Sequence, residues 1–110
     1  MLEKTLRVNQ LIGYYWDLLT AHQQELVQLY YADDLSLAEI AEQYEISRQA
    51  VHRTVKQAEA SLEEYEAKLG LLVKAKERRE LLDQLASGIH TRQSAQELLL
   101  LVDELKELDD

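Results

Sequence analysis

Residues 36–56 read SLAEIAEQYEISRQAVHRTVK, and the meaning of this stretch decides the fold. Ser36 with Glu39 three residues later is a capping box, in which each side chain satisfies a backbone N–H at a helix start. Leu37, Ile40, Ala41 and Tyr44 then recur at spacings of three and four, one face of a short helix. Glu45-Ile46 is a short turn, and Ser47 caps a second helix. Two short helices joined this tightly make a helix-turn-helix. Ala41 has to be small where the backbones approach, while Ile40, Tyr44, Ile46, Val51 and Val55 fill the wedge. The opposite face of the second helix carries Ser47, Arg48, Gln49, His52, Arg53 and Lys56. Arg forks onto guanine and Gln onto adenine, while Lys56 and the amides near Ser47 hold phosphates, so these are the candidate nucleic-acid-binding residues. The plainer alternative is a solvated polar face.

The flanks extend the helical pattern. Val8, Leu11, Ile12, Tyr15 and Leu19 share one face, which predicts a first helix over 4–19. Thr20 and Gln23 form another capping box, opening a second helix to Tyr31 that buries Leu26, Leu29 and Tyr30. Ala32 to Leu35 is a turn. Downstream, Val51, Val55, Ala58, Leu62, Tyr65, Leu69 and Leu72 recur at alternating spacings of four and three. That is a heptad seam of about three repeats, suited to packing along a second long helix. Gly70 is placed to kink or end it, and Gly88 reads as a C-terminal cap. Thr91 or Ser94 starts a last helix ending near Leu108, whose run Leu98–Val102 covers more circumference than a one-sided helix needs, so a second subunit or partner is expected there. The expected class is all-α: a helix-turn-helix head (1–70, motif 36–56) and a helical extension (71–110) for oligomerisation or partner docking.

Composition agrees. Among 110 residues there is no proline and no cysteine, so neither a disulfide framework nor a thiolate metal site is open to the chain. Glu3, Lys4 and Arg7 in the first turns are unlike the apolar core of a signal peptide, and no apolar run approaches the roughly 20 residues of a bilayer span. A cytoplasmic protein without membrane insertion is expected. The net charge of −9 hides a pattern: residues 1–46 and 80–110 each carry −6, and residues 47–79 carry +3. Local sign matters more than the total in steering a polyanion.

Segment Leu19–Leu62 resembles the promoter-reading (region 4) helix-turn-helix of bacterial sigma factors, through LT at 19–20, LYY at 29–31, LSLAEIA at 35–41 and ISRQAV at 46–51. Over at least residues 4–70 the chain looks closer to the small YlxM-type proteins, through LYYADDLSLAEIAEQYEISRQAVHRTVKQAE at 29–59 and LEEYEAKL at 62–69. Proteins of that type are encoded beside genes of the signal recognition particle, so the resemblance implies a regulatory role in that pathway. Glu45 departs from the general pattern, because many helix-turn-helix proteins place glycine there. A left-handed Glu costs about 1 kcal/mol, so the turn is either slightly strained or of a different type.

Other constellations carry less. His22, His52 and His90 lack zinc-site spacing, and no metal or cofactor is expected. The pairs Asp33-Asp34, Glu63-Glu64 and Asp109-Asp110 suit solvated turns better than acid catalysis. Tyr14, Tyr15, Trp16, Tyr30 and Tyr31 suit core packing better than base stacking. No phosphate loop or nucleophile motif is present, so no enzyme is expected. Lys74, Lys76, Arg78 and Arg79 form a second basic cluster, open to RNA phosphates or simply solvated. Three readings compete. One is a homodimeric DNA-binding regulator with the seam and last helix holding the subunits. Another is an adaptor on the signal recognition particle protein or its RNA. The third keeps the helix-turn-helix as a structural relic in a dimerisation module.

Overall fold

A computed structural model describes residues 2–109. Those residues form helices α1 (Leu2–Tyr15), α2 (Ala21–Val27), α3 (Leu37–Tyr44), α4 (Arg48–Leu69), α5 (Leu71–His90) and α6 (Ala95–Leu108), with no strand among them. The fold is all-α, and none of these helices is long and apolar enough to cross a membrane. The chain divides into two compact units, one ending at Leu69 and the other starting at Gly70.

The caps form as their residue types dictate. Thr20 accepts from the Gln23 N–H at 3.1 Å while the Gln23 side chain accepts from Thr20 N–H at 3.0 Å. Ser36 and Glu39 repeat that exchange at 3.1 and 3.0 Å. Ser47 Oγ accepts from Ala50 N–H at 3.0 Å, and Ser94 Oγ from Glu97 N–H at 3.2 Å. Each removes a donor that a helix start would leave unsatisfied.

Two stretches expected to be helical are wound differently. The first helix stops at Tyr15, and Trp16–Leu18 tightens into a 3-10 turn before Leu19 turns to extended backbone. Gln24 fixes that turn by donating to the Trp16 carbonyl at 2.8 Å. The second helix widens into a π-turn over Gln28–Ala32, where Asp33 N–H reaches back to the Gln28 carbonyl at 3.0 Å. Leu26 and Val27, just before it, are both buried.

The first unit has its core where α2, α3 and α4 meet. Leu26, Ile40, Ala41, Val51 and Val55 are buried there, with Leu29, Tyr30, Tyr31, Leu35, Leu37 and Tyr44 packed around them. Fully burying a Leu, Ile or Val contributes about 1.5–3 kcal/mol, so this wedge is a substantial source of the unit's stability. Along the rest of α4, Ala58 and Leu62 are buried, as are Val8, Leu11 and Tyr15 of α1, which packs against it. The heptad seam is thus filled by the chain's own α1, α2 and α3 and is not available to a second subunit. It also ends sooner than its spacing implies. Leu69 is exposed, and Gly70, at φ 63°, ends α4. Residues 57–86 therefore form two helices.

Within the second unit α5 packs against α6. Gly88 is no cap. It lies inside α5, buried, where an added Cβ would stand 2.3 Å from Gln93 Oε1 and 2.9 Å from Leu98 Cδ2 of α6. The helix stop falls four residues later, at Arg92 (φ 58°), and Gln93 N–H closes it on the Gly88 carbonyl at 2.9 Å. Glycine serves here for the closeness of α6, and arginine takes the left-handed position. Leu99 and Leu100 of the over-apolar run are 58% and 63% exposed.

Candidate nucleic-acid interface

The helix-turn-helix turn sets how α4 is presented. Glu45 adopts φ 56°, ψ 42°, left-handed. Its N–H reaches the Glu42 carbonyl at 3.3 Å and the Ile46 N–H reaches the Ala41 carbonyl at 3.1 Å. This is the Schellman arrangement that usually recruits glycine. Of the two alternatives the strained turn is the one formed, and Glu carries the strain.

Beyond the turn, Ser47, Arg48, Gln49, His52, Arg53 and Lys56 are all exposed. Arg48, Gln49, His52, Arg53 and Lys56 line one shallow groove with Leu37 of α3, and Gln57 and Ala60 continue it. At 100° per residue these α4 positions fall on one face, opposite buried Val51, Val55, Ala58 and Leu62. From Arg48 to Lys56 the face runs about 12 Å, matching the width of a major groove. Gln57 and Ala60 were not among the sequence candidates, though their spacing from Arg53 and Lys56 extends the same stripe.

The cations are not equivalent. No carboxylate among the described residues lies within ion-pair distance of Arg48 or Arg53. Lys56, in contrast, is held by Glu59 at 3.2 Å. Glu59 also receives Lys4 of α1 at 3.5 Å and a hydrogen bond from the Tyr31 hydroxyl. Burial pushes the Glu59 carboxyl up, but the hydrogen bonds from Tyr31 and Lys56 and both lysine charges pull it down further, leaving it below the usual carboxylate value. The Tyr31 hydroxyl is driven well above its ordinary value, first by burial and then by its bond to Glu59. One turn on, Arg7 donates to both oxygens of Glu63, at 2.6 and 2.8 Å, and holds that carboxyl low. Deeper in, the Tyr15 hydroxyl donates to buried Glu66 at 2.6 Å.

The remaining candidates separate. Lys74, Lys76 and Arg79 are exposed on α5, while Arg78 is half-buried and pairs with Asp109 at 3.6 Å. Helical periodicity sets Lys74 and Arg78 on one face and Lys76 and Arg79 on another, so these four do not form one patch. His22 is exposed and stands edge-on to Tyr44 with ring centroids 6.1 Å apart. Tyr15 is core. Tyr30 and Tyr31 are half-buried in an edge-to-face pair at 5.0 Å, which leaves no flat stacking platform there. Among the described residues no three His, Cys, Asp or Glu side chains converge on a metal-sized point.

Comparison with known proteins adds an independent line. A family profile described as YlxM / p13-like helix-turn-helix proteins (UPF0122) matches residues 2–102. A UPF0122 protein of Geobacillus kaustophilus is 54% identical over 110 residues, covering 99% of this chain and 100% of its own. One of Halalkalibacterium halodurans is 48% identical over 109 residues, with 99% and 100% covered. The UPF0122 protein YlxM of Bacillus subtilis is 47% identical over 108 residues, with 98% of each chain covered.

Proposed function

The chain belongs to the YlxM / p13-like helix-turn-helix family, and from that premise we propose that it is a cytoplasmic regulator binding double-stranded DNA through the outer face of α4. It acts by recognition, not catalysis. One observation carries the reading: Arg48 and Arg53 stand exposed, without carboxylate partners among the described residues, on the N-terminal half of the second helix of a helix-turn-helix. That is where such motifs meet base edges, with Gln49 and His52 between them. Ser47, whose hydroxyl is committed to its cap, contributes through the helix N-terminus, at which the backbone favours a phosphate.

The test is an anisotropy titration on the DNA upstream of the protein's own gene and on a scrambled duplex. Arg48→Ala and Arg53→Ala should each weaken specific binding by about 1–3 kcal/mol, and affinity should fall steeply with salt. Equal affinity for both duplexes, with neither mutation mattering, sinks the reading.

A second reading is an adaptor that docks on the signal recognition particle protein or its RNA. The net charge of −9 and the exposure of Leu99 and Leu100 on α6 favour it. Pull-down with purified particle components discriminates, since a DNA regulator leaves both in the flow-through. The same leucines support self-association through the α5–α6 unit. On that view Leu99→Ser/Leu100→Ser converts a dimer to a monomer in sedimentation.

A further inference from the structure

On α4 alone the basic stripe changes sign. Beyond Arg48, Arg53 and Lys56, one edge of that side carries Glu59 and Glu63, which would repel a phosphate backbone. The fold covers both with cations from α1. Lys4 stands 3.5 Å from Glu59 and Arg7 2.6 Å from Glu63. The lysine pair is not sequestered: Lys4 and Lys56 side chains are 57% and 47% exposed, while Glu59 between them is only 13% exposed. Its carboxylate therefore lies beneath two ammonium groups that still face water.

The place is continuous with the reading face. A cleft of about 180 Å³ is lined by Lys4, Tyr31, Leu37, His52, Lys56 and Glu59, among others. Leu37, His52 and Lys56 also line the outer groove of α4.

We propose that Lys4 and Lys56, bridged by Glu59, form a phosphate-binding site for the DNA backbone flanking the groove that α4 enters, and that the Glu59 carboxylate occupies it in the free protein. The proposal rests on the DNA-binding reading and adds a contact from α1. An ammonium is a compact point charge that accepts phosphate and carboxylate alike. Tyr31 helps hold the carboxylate in place, and Glu59 is a positioning residue that sets the spacing of the cations while opposing the phosphate. The contact reads no sequence and raises affinity for all duplexes.

The experiment compares full-length wild type with Lys4→Ala, Glu59→Gln and Lys68→Ala on specific and scrambled duplexes at several salt concentrations. Lys68 pairs with Glu64 at 3.0 Å on α4, so its removal matches the charge change away from the cleft. Lys4→Ala should weaken both duplexes by about threefold to tenfold and lower the slope of log K against log salt by about one. Glu59→Gln keeps an acceptor for Tyr31 and should tighten both duplexes, the reverse of what loss of a structural ion pair would give. Lys68→Ala should change neither affinity nor slope. The proposal is overturned if Lys4→Ala leaves the slope intact, if Lys68→Ala does as much, or if Glu59→Gln fails to tighten binding. Those results, with Arg48→Ala and Arg53→Ala still damaging, leave the DNA reading standing and remove only the α1 contact. A wild type that binds no duplex at low salt removes both.

Discussion

Glu45→Gly should make the protein more stable, although it deletes a side chain and adds flexibility. Glu45 sits at φ 56°, ψ 42°, where an L-residue's Cβ crowds the backbone at a cost of about 1–2 kcal/mol that glycine escapes. Against this, glycine gives the unfolded chain more freedom, worth about 0.4–1 kcal/mol. Among the described residues the exposed Glu45 side chain has no hydrogen bond or ion pair to lose. The net is a gain of about 0.5–1 kcal/mol, a rise in melting temperature of about 2–8 °C for a unit of this size. Trp16, the chain's single tryptophan, lies in the first unit, so its fluorescence through a thermal or urea transition reports on the right part.

Two further substitutions separate the physical causes. Glu45→Ala keeps Cβ and removes the charge, while Glu45→Asn offers a residue enriched in the left-handed region. If backbone strain governs, the order of stability is Gly, then Asn, with Ala close to wild type. If Ala gains as much as Gly, the cause is the acidic side chain at the negative end of α3, and the strain argument is refuted. DNA affinity should change little in any of them, because the Ala41–Ile46 hydrogen bond keeps the angle between α3 and α4.

Three other outcomes follow from the same geometry. Gly13→Ala should stabilise the first unit by about 0.5–1 kcal/mol by helix propensity, since nothing lies within 4 Å of the added Cβ. Gly88→Val should destabilise the second by about 1–3 kcal/mol, because the Gln93 side chain and Leu98 Cδ2 must both move; melting curves check both. Acidification should weaken the first unit: hydrogen bonding to Arg7 lowers the Glu63 carboxyl, so its contribution is complete above the ordinary value of 4.5 and lost as pH falls through the lowered one. Glu63→Gln should make urea midpoints fall less between pH 5 and pH 3, and an unchanged acid limb would place the loss elsewhere.

What was legible in the sequence was whatever a local rule encodes. Ser36-Glu39 and Thr20-Gln23 announce helix starts because the capping box closes within four residues. The spacing of Val51, Val55, Ala58 and Leu62 announces a buried stripe because periodicity is local too. The failures lie where a distant element decides. No proline or glycine marks the 3-10 turn at Trp16–Leu18 or the π-turn at Gln28–Ala32. Gly88 was open to reading as a stop because glycine serves left-handed turns and tight crossings equally, and only Leu98 on another helix separates the two. The heptad seam gave a period without a partner, and α1 to α3 of the same chain supply it.

The cationic face shows the same division more sharply. Counted along the chain, Lys4 and Arg7 belong to an acidic segment and Glu59 and Glu63 interrupt a basic one, so neither pair invites a functional reading. The packing of Val8, Leu11 and Tyr15 against α4 fixes a parallel register in which Lys4 meets Glu59, Arg7 meets Glu63 and Tyr15 meets Glu66. A ladder of this kind is set by apolar residues that carry no charge at all. A repacking change such as Leu11→Ala would therefore alter the salt dependence of the proposed DNA binding as well as stability, by loosening the helix that carries Lys4. Lys4→Ala would alter the salt dependence while leaving stability nearly untouched, because the Lys4 side chain is exposed and the sheltered Glu59 keeps Lys56 and Tyr31 as partners. If both changes moved stability and salt dependence in fixed proportion, the cations would be acting through the fold, and the electrostatic account of the α1 contact would be wrong.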